Sequence, residues 1–389
     1  MSQVNFMEKL LDGVEVEWKT VKDIFNTKNG YTPSKAKPEY WTNGNVPWFR
    51  MEDLRKNGNV LNQAIQYTHT SGIKGKLFPA NSIIMATTAT IGEHALITVD
   101  YMCNQQFTNF TIKDEFSKLL DIKFVYYYFF LIDEKAKQSV NTSSFPSVQM
   151  NELKKWEFPI PPLKVQSEIV RILDNFTELT AELTAELSAR KKQYHYYRDQ
   201  LLSFKEGEVE WKSLGEVATI GTGNHDTKDA IDNGNYIFYA RGKKPLMLNS
   251  YDFDETAIIT AGDGVGVGKV FHWAVGKYAL HQRAYRIVPN RDINARYVYH
   301  YILANFYVYI EKTSVHSSVQ SLRKPMFLKF PIPIPPLQKQ KEIVAILDKF
   351  DTLTHSISEG LPREIALRQK QYEYYRNLLL SFPKKEVEA

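Results

Sequence analysis

The chain lacks the features that stabilise secreted proteins or anchor proteins in membranes. A single cysteine, Cys103, stands among 389 residues, which excludes an intramolecular disulfide framework and predicts a reducing, cytoplasmic environment. The most apolar run, "FVYYYFFLI" at 124–132, is far too short to cross a bilayer and predicts a buried helix or strand. The first residues, "MSQVNFMEKLLDGVEVEWK", include acidic residues and no sustained apolar core, so we expect no signal peptide.

Neither positive nor negative charge predominates. The 49 Lys and Arg residues nearly balance the 44 Asp and Glu residues, which leaves a formal net charge of +5. This mild excess is compatible with an acidic partner such as nucleic acid but does not by itself indicate one. With 43% hydrophobic and 24% charged residues, the composition is that of a soluble globular protein long enough for two substantial cores.

The glycine-rich stretch "AGDGVGVGKV" at 261–270 does not match a phosphate-binding loop. Asp263 occupies the position where that motif requires its first glycine, and Lys269 is followed by Val270 instead of Ser or Thr. The dinucleotide pattern G-x-G-x-x-G fails here too. We therefore predict that this stretch is a tight turn between two strands.

Motifs of catalysis and metal binding are missing as well. The nine histidines include no H-E-x-x-H, and one cysteine cannot build a Cys-based zinc site. There is no G-x-S-x-G elbow, no glycine-rich S-adenosylmethionine loop and no Asn/Asp-Pro-Pro-Tyr/Phe tetrapeptide. We predict a chain without catalytic activity, cofactor or metal of its own.

What the chain does contain is a duplication, because several stretches occur twice in the same order. "EVEWK" occurs at 15–19 and 208–212, and "RKKQYHYYRDQLLSF" at 190–204 returns as "RQKQYEYYRNLLLSF" at 368–382. Between them, "FPIPPLKVQSEIVRILDNF" at 158–176 returns as "FPIPIPPLQKQKEIVAILDKF" at 330–350. The chain is thus two tandem copies, each with a variable segment followed by a well-preserved one.

The preserved segments have the periodicity of long helices. In the first copy apolar residues recur at steps of three and four, as in Ile169, Leu173 and Phe176, which predicts a rod of roughly 60 Å that needs a partner helix. The second copy carries four extra residues near Gly360 and Pro362, where we expect the helix to break or kink. We predict that the two rods pack antiparallel within the chain; the alternative is that each rod pairs with another chain.

The variable segments, at about 15–160 and 208–332, predict compact α/β or β-rich globules. They contain strand-like runs such as "SIIMATTATIGEHALITV" and "AIITAGDGVGVGKVFHWAV", separated by Gly, Asn and Asp turns. The predicted fold class is α/β (α+β), with two globular domains joined by two long helices that form an antiparallel coiled coil related by a pseudo-twofold tandem duplication. The predicted boundaries are 1–160, 161–205, 206–335 and 336–389.

This organisation resembles the specificity subunit of type I restriction–modification systems, over nearly the whole chain. The resemblance is carried by the two "PIPPL" helices with their tyrosine-rich ends, and by "GYTPSKAKPEYWTNGNVPWFRMEDL" at 30–54. The matching region of the second globule, "GTGNHDTKDAIDNGNYIFYARG" at 221–242, departs strongly from the family pattern.

The resemblance implies a function for each segment. The globules would be target-recognition domains, each reading half of a bipartite, asymmetric site in double-stranded DNA. The helices would set the distance between the half-sites and dock two methyltransferase (M) subunits, which motor-nuclease (R) subunits can join. S-adenosylmethionine is expected in the partner methyltransferase, with no cofactor in this chain.

Candidate DNA-binding residues are polar and aromatic side chains in predicted loops. In the first globule they are Tyr31, Thr32, Ser34, Lys35, Trp48, Arg50, Thr87, Thr88, Ser143 and Ser144. In the second they are Arg241, Lys243, Lys244, His281, Gln282, Arg283, Ser317, Ser318 and Lys324. For each, the alternative is a solvated face or a capped turn, and Trp48 is more typical of a core. Pairing "CNQQF" with "HQRAY" predicts that Gln105 and Gln282 are equivalent, and a structural role for both is one alternative.

Two rival functions stay open at this point. A self-sufficient methyltransferase or nuclease would need a cofactor loop or an acidic metal cluster. A coiled-coil adaptor that binds proteins would show no salt-dependent affinity for duplex DNA. The tyrosines of the rod ends favour helix packing or partner docking over DNA contact; they are Tyr194, Tyr196, Tyr197, Tyr372, Tyr374 and Tyr375.

Overall fold

The computed structural model describes residues 10–11, 13–139, 146–313 and 324–383. The chain divides into two compact units, Met1–Glu182 with Ala366–Ala389, and Leu183–Ile365. Each unit therefore combines one globular segment with parts of both helical segments. The four boundaries predicted from the sequence follow the repeats and stay a prediction.

The first unit contains ten strands and the helices that pack on them, within the ranges that the structure describes. The strands are β1 Glu17–Thr20, β2 Phe25–Asn29, β3 Val46–Phe49, β4 Val60–Leu61, β5 Tyr67–Thr68, β6 Ser82–Ala86, β7 His94–Ile97, β8 Met102–Cys103, β9 Phe107–Ile112 and β10 Glu157–Ile160. The helices are α1 Val21–Ile24, α2 Met51–Asn57, α3 Ile122–Gln138, α4 Met150–Leu153 and the start of α5 Leu163–Leu201. The central sheet has the order β2-β9-β6-β7-β4.

The second unit repeats this plan with a larger sheet. Its strands are β11 Glu210–Ser213, β12 Ala218–Thr222, β13 Tyr236–Tyr239, β14 Leu246–Leu248, β15 Phe253–Ala261, β16 Phe271–Leu280, β17 Ala284–Pro289 and β18 Pro331–Ile334. The helices are α6 Leu214–Val217, α7 Ala295–Thr313, α8 Lys324–Leu328 and α9 Leu337–His355, and α10 Gly360–Leu379 follows. The sheet order is β12-β17-β15-β16-β13-β14.

The repeated "EWK" and "PIP" motifs form strands that pair with each other in both units. β1 runs antiparallel to β10, with Trp18 opposite Pro159, and β11 runs antiparallel to β18, with Trp211 opposite Pro333. Proline lacks the N–H that a central strand would need, so it suits these two-stranded ribbons. Each ribbon leads the chain into a long helix.

Three segments singled out by the sequence have a defined structure. The apolar run at 124–132 lies in helix α3, whose Phe124 and Phe129 are fully buried. The predicted break in the second rod is confirmed, because α9 ends at His355 and α10 begins at Gly360, which adopts a φ of +71°. The glycine-rich stretch joins β15, which ends at Ala261, to β16, which begins at Phe271. The prediction of a tight turn there was wrong, since this connection is longer.

The two rods pair antiparallel, and the first unit shows how. Ile169 and Leu173, near the start of α5, are fully buried in one core with Leu379 and Phe382, at the end of the chain's last helical segment. The ring of Phe176 stacks on that of Tyr375, with centroids 5.4 Å apart. The start of one rod thus packs on the end of the other, as the tandem repeat predicted.

The second unit contains the complementary pairing. Here Tyr194, near the end of α5, and Leu202, just after it, join a core that includes Ile343 and Leu347 from the start of α9. The ring of Tyr197 stacks on that of Phe350, with centroids 5.8 Å apart. Both pairings lie within one chain, which answers the alternative that each rod pairs with another chain.

One aspartate on each rod holds the long helix of the neighbouring globule. Asp174, in α5, accepts hydrogen bonds from Lys123 Nζ at 2.6 Å and Tyr127 Oη at 2.7 Å, both from α3. Asp348, its repeat equivalent in α9, accepts from Arg296 Nε and His300 Nε2, both at 2.7 Å and both from α7. The position of this carboxylate is preserved in both copies while its donors differ.

His300 is expected to make the second unit sensitive to mild acid. Burial lowers the pKa of His300 below its usual value of 6.5 despite the hydrogen bond to Asp348, and its buried Nδ1 has no hydrogen-bond partner. Below pH 6.5 the unfolded chain therefore takes up a proton that the folded unit resists, so stability falls as pH drops and is unaffected by this group above pH 6.5. We predict that the thermal midpoint falls more between pH 7.5 and 5.5 in the wild type than in His300→Gln, which keeps a nitrogen donor that does not titrate. Equal falls in both proteins would contradict this role for His300.

Candidate nucleic-acid interface

In the first unit, loops converge at one end of the central sheet. β2 ends where β9 begins, with Asn29 opposite Thr108, and β6 ends beside the same strand, with Ala86 opposite Phe107. Residues 30–35, 87–92 and 104–106 therefore meet at this end. The other end of β2 begins at Phe25, which is buried in the core shared with the rod. The loops thus lie at the end of the sheet opposite Phe25, and the 87–92 loop also packs on α3, since a Cβ on Gly92 would lie 2.7 Å from the Asp133 carbonyl oxygen.

A glycine lets two of these loops approach each other. A Cβ on Gly30 would lie 2.6 Å from Cys103 Sγ and closer still to the carbonyl oxygens of Cys103 and Asn104. The N–H of Tyr31 donates to the Cys103 carbonyl at 2.8 Å. Position 30 therefore has to be glycine if the turn at 104–106 is to sit against the 30–35 loop.

Side chains fix the turn at 104–106. Asn104 Oδ1 accepts the N–H of Gln106 at 3.1 Å, and Thr32 Oγ1 donates to Gln105 Oε1 at 2.5 Å. Thr87 lies underneath, where its N–H donates to the Gln106 carbonyl at 2.9 Å. The exposed Gln105 side chain is thus held in one orientation at the tip of the sheet.

The second unit builds the same turn from different residues. β12, β15 and β17 meet at the corresponding end, with Thr222 opposite Tyr285 and Ala261 opposite Ala284. A Cβ on Gly223 would lie 2.7 Å from Leu280 Cβ and closer still to the Leu280 carbonyl oxygen. The loops that converge here are 223–229, 240–245, 262–269 and 281–283.

Side chains also fix the second turn, with one hydrogen bond matched and the other reversed. His281 Nδ1 accepts the N–H of Arg283 at 2.9 Å, as Asn104 does for Gln106, and Gln282 Nε2 donates to Asp226 Oδ2 at 3.1 Å. Burial lowers the pKa of His281, with Arg241 adding to the effect, which favours the neutral ring that this acceptor role requires. The predicted equivalence of Gln105 and Gln282 agrees with this matched geometry.

Basic side chains surround the second turn. Arg241 Nη1 and Arg283 Nη1 both bind Asp263, at 2.8 and 3.1 Å. Burial alone would raise the pKa of Asp263, but these two hydrogen bonds outweigh it, so the pKa is lowered and the carboxylate is ionised at neutral pH. One acid thus gathers two arginines, and the exposed Lys243 and Lys244 lie in the adjacent loop. The positive charge left over at this end favours an anionic ligand such as a DNA phosphate.

The structure sorts the predicted site residues by exposure. Trp48, Thr87 and His281 are buried and support the loops; Trp48 Nε1, for example, donates to the Tyr31 carbonyl at 3.1 Å. A direct contact of these three side chains with DNA stays a prediction. Those that the structure leaves exposed or half-buried are Tyr31, Thr32, Ser34, Lys35, Arg50, Thr88, Arg241, Lys243, Lys244, Gln282, Arg283 and Lys324. Ser143, Ser144, Ser317 and Ser318 lie outside the described residues.

Sequence reasoning missed the acids that organise the second site. Asp226 and Asp263 hold Gln282 and the two arginines, yet in the sequence they look like ordinary turn residues. In the first unit the omission was Gln105, since its partner Thr32 is distant in the chain. The repeat supplied the one usable signal, because it places Gln105 and Gln282 at equivalent positions.

Other kinds of site find no support in the described ranges. Among those residues no group of three or more His, Cys, Asp or Glu side chains is arranged to hold a metal ion. No described helix is long and apolar enough to cross a membrane.

The family comparison matches both copies of the repeat. Residues 13–190 and 206–367 each match the model described as "Type I restriction modification DNA specificity domain". The chain is 43% identical over 380 residues to the type I restriction enzyme EcoprrI specificity subunit of Escherichia coli, covering 92% of this chain and 93% of that protein. It is 34% identical to the EcoR124I/EcoR124II specificity subunit of E. coli, covering 100% and 99%.

Solved structures share the fold at low sequence identity. The type I S subunit from M. genitalium aligns over 96% of this chain and 98% of its own, with a TM-score of 0.57 and 17% identity. A chain from a structure of type I system assembly and conformational transition aligns over 94% and 98%, with a TM-score of 0.61 and 15% identity. These likenesses extend along almost the full length of the chain.

Proposed function

The chain belongs to the type I restriction–modification DNA specificity family, and we propose that its two matched sheet ends are the surfaces that read DNA. Its function is that of the non-catalytic, sequence-specific DNA-recognition subunit of a type I complex, and the relatives compared above are named specificity subunits. The observation that carries the proposal is the duplicated turn. The same backbone hydrogen bond closes the turn in both units, from Phe107 N–H to the Asn104 carbonyl and from Ala284 N–H to the His281 carbonyl. The glutamine in the middle of the turn is shared, while the side chains on either side of it differ.

This combination suits a bipartite, asymmetric target. Backbone geometry positions a reading surface, and base-edge contacts by side chains specify the sequence. Gln105 is exposed and Gln106 half-buried in the first unit, whereas Gln282 and Arg283 are both exposed in the second. Each globule would then read a different half-site, and the paired helices would set the distance between the two.

The proposed partners are double-stranded DNA and two methyltransferase (M) subunits, with motor-nuclease (R) subunits joining them. The rod ends offer a matched pair of docking points for the M subunits. Tyr196 is 60% exposed and Tyr374, its repeat equivalent, is 52% exposed, whereas the neighbouring Tyr194 is buried in the second core. S-adenosylmethionine would be bound by the M subunits, which would methylate the DNA that this chain selects.

The assignment of half-sites is tested by exchanging one globule. We predict that replacing residues 206–335 with those of a relative of different specificity changes one half of the recognised site and leaves the other half unchanged. The measurement is methylation sequencing of DNA from host cells that express the hybrid together with its methyltransferase. The natural chain gives the reference site, and the reciprocal exchange of residues 1–160 should change the opposite half.

Two outcomes would contradict the proposal. An unchanged site after exchange would refute the division into half-sites. The rival function of a protein-binding adaptor would be favoured by two results together. The natural chain would confer no methylation motif, and its affinity for duplex DNA would not depend on salt.

A further inference from the structure

The two equivalent glutamines are held by opposite ends of their amide groups. In the first unit, Thr32 Oγ1 donates to the carbonyl oxygen of Gln105 at 2.5 Å. In the second, Asp226 Oδ2 accepts from the amide nitrogen of Gln282 at 3.1 Å. Both glutamine side chains are exposed at the tip of their sheet. The outward atom is therefore Nε2 in Gln105 and Oε1 in Gln282.

In the second unit the chemistry of the partner sets the orientation. An ionised carboxylate can only accept hydrogen bonds, so Asp226 must face the nitrogen of Gln282. Asp226 caps the 3₁₀ turn Thr227–Asp229, and the N–H of Lys228 lowers its pKa, which keeps it ionised at neutral pH. In the first unit the atom of Gln105 next to Thr32 Oγ1 is the amide oxygen, which can only accept, so the Thr32 hydroxyl donates to it and the NH₂ group is turned away.

We propose that Gln105 and Gln282 read base edges of opposite hydrogen-bonding character at equivalent positions of the two half-sites. This inference rests on the proposed function, because it assumes that both sheet ends face DNA. The outward Nε2 of Gln105 donates to a base acceptor, which in the major groove is guanine O6 or N7, adenine N7 or thymine O4. The outward Oε1 of Gln282 accepts from an exocyclic amino group, which is adenine N6 or cytosine N4.

The arrangement gives one backbone turn two specificities without moving the backbone. A glutamine with no fixed partner could rotate its amide and would accept either kind of base edge. Pinning one end removes that freedom, so Thr32 and Asp226 act as positioning residues for the reading side chain. Exchanging the pinning residue should then change which base is read.

The first test is Gln105→Glu in the full chain, co-expressed with its methyltransferase. Glutamate has the same length and can still accept from Thr32, but its outward oxygen accepts where Nε2 donated. We expect the preferred base at one position of the first half-site to change from a base with a major-groove acceptor (guanine, adenine or thymine) to cytosine, by about tenfold. A carboxylate accepts from cytosine N4, and cytosine presents no acceptor in that groove. The second half-site of the same molecule is the internal control.

The second test is Asp226→Asn, which keeps an N-cap residue of similar size. Asparagine can donate as well as accept, so the Gln282 amide is free to turn either way. We expect the preference at one position of the second half-site to relax by about tenfold, with the first half-site unchanged. Asp232→Asn makes the same charge change farther along the loop and should leave the site as it was.

Both variants are read out by methylation sequencing on a plasmid library in which every half-site position is varied. A change at a single position of the expected half-site supports the inference. An unchanged motif, a change in both half-sites, or a variant that methylates no member of the library overturns it. If the natural chain itself yields no bipartite motif, the proposed function fails; if it does and the variants match it, only this inference fails.

Discussion

Replacing Gly223 with alanine is expected to lower the affinity for the cognate duplex at least about 100-fold, because it removes one half-site from recognition. The added Cβ would lie 2.7 Å from Leu280 Cβ and even closer to the Leu280 carbonyl oxygen. The loop and the strand must separate, which breaks the 3.3 Å hydrogen bond from the His225 N–H to that carbonyl. The turn that carries Gln282 then loses its support.

The same change at Gly30 should act on the first half-site, since its Cβ would meet the Cys103 and Asn104 carbonyls. Gly242→Ala is the matched control, because the nearest atom to its added Cβ is the Lys244 carbonyl oxygen at 3.9 Å. Fluorescence anisotropy at fixed salt measures the affinity, and circular dichroism checks that the variants fold. Affinity equal to that of the wild type in Gly223→Ala would contradict the role of this close approach.

The architecture was predictable because its signals are local or repeated. Helical periodicity located α5, and the tandem copies required that the start of one rod meet the end of the other. Burial along the rod was harder to predict. Leu173 is fully buried, whereas Leu183 and Leu187 lie half-exposed on the same apolar stripe. Periodicity indicates which face points inward but not how much partner lies opposite each turn.

The site could be predicted only in outline. The sequence located loops rich in polar residues, but whether Thr87 or Trp48 faces solvent depends on strand register, which composition does not encode. The orientation of Gln105 depends on a threonine 73 residues earlier in the chain. Asp226 and Asp263 matter only because folding brings Gln282, Arg241 and Arg283 to them.

A buried glutamine occurs at the same position, three residues after "PIPPL", in both long helices. Gln340 is 1% exposed; its Nε2 donates to the Pro335 carbonyl at 2.8 Å, and its Oε1 accepts the N–H of Asn294 at 2.9 Å. Gln166 makes the same kind of link in the first unit. Its Nε2 donates to the Pro161 and Leu119 carbonyls, and its Oε1 accepts the N–H of Asp121. Each glutamine thus ties the start of a rod to the start of the globule's long helix.

Gln340→Leu is expected to lower the free energy of unfolding of the second unit by about 2–4 kcal/mol, because leucine leaves a carbonyl and an N–H buried without partners. For a unit of this size the thermal midpoint should fall by roughly 5–10 °C. Gln338→Leu, at an exposed position of the same helix, is the control and should change little. Calorimetry distinguishes the two variants. If Gln340→Leu unfolds at the wild-type temperature, the glutamine does not stabilise this junction. Its recurrence after both "PIPPL" motifs would then need another cause, such as contact with a methyltransferase subunit.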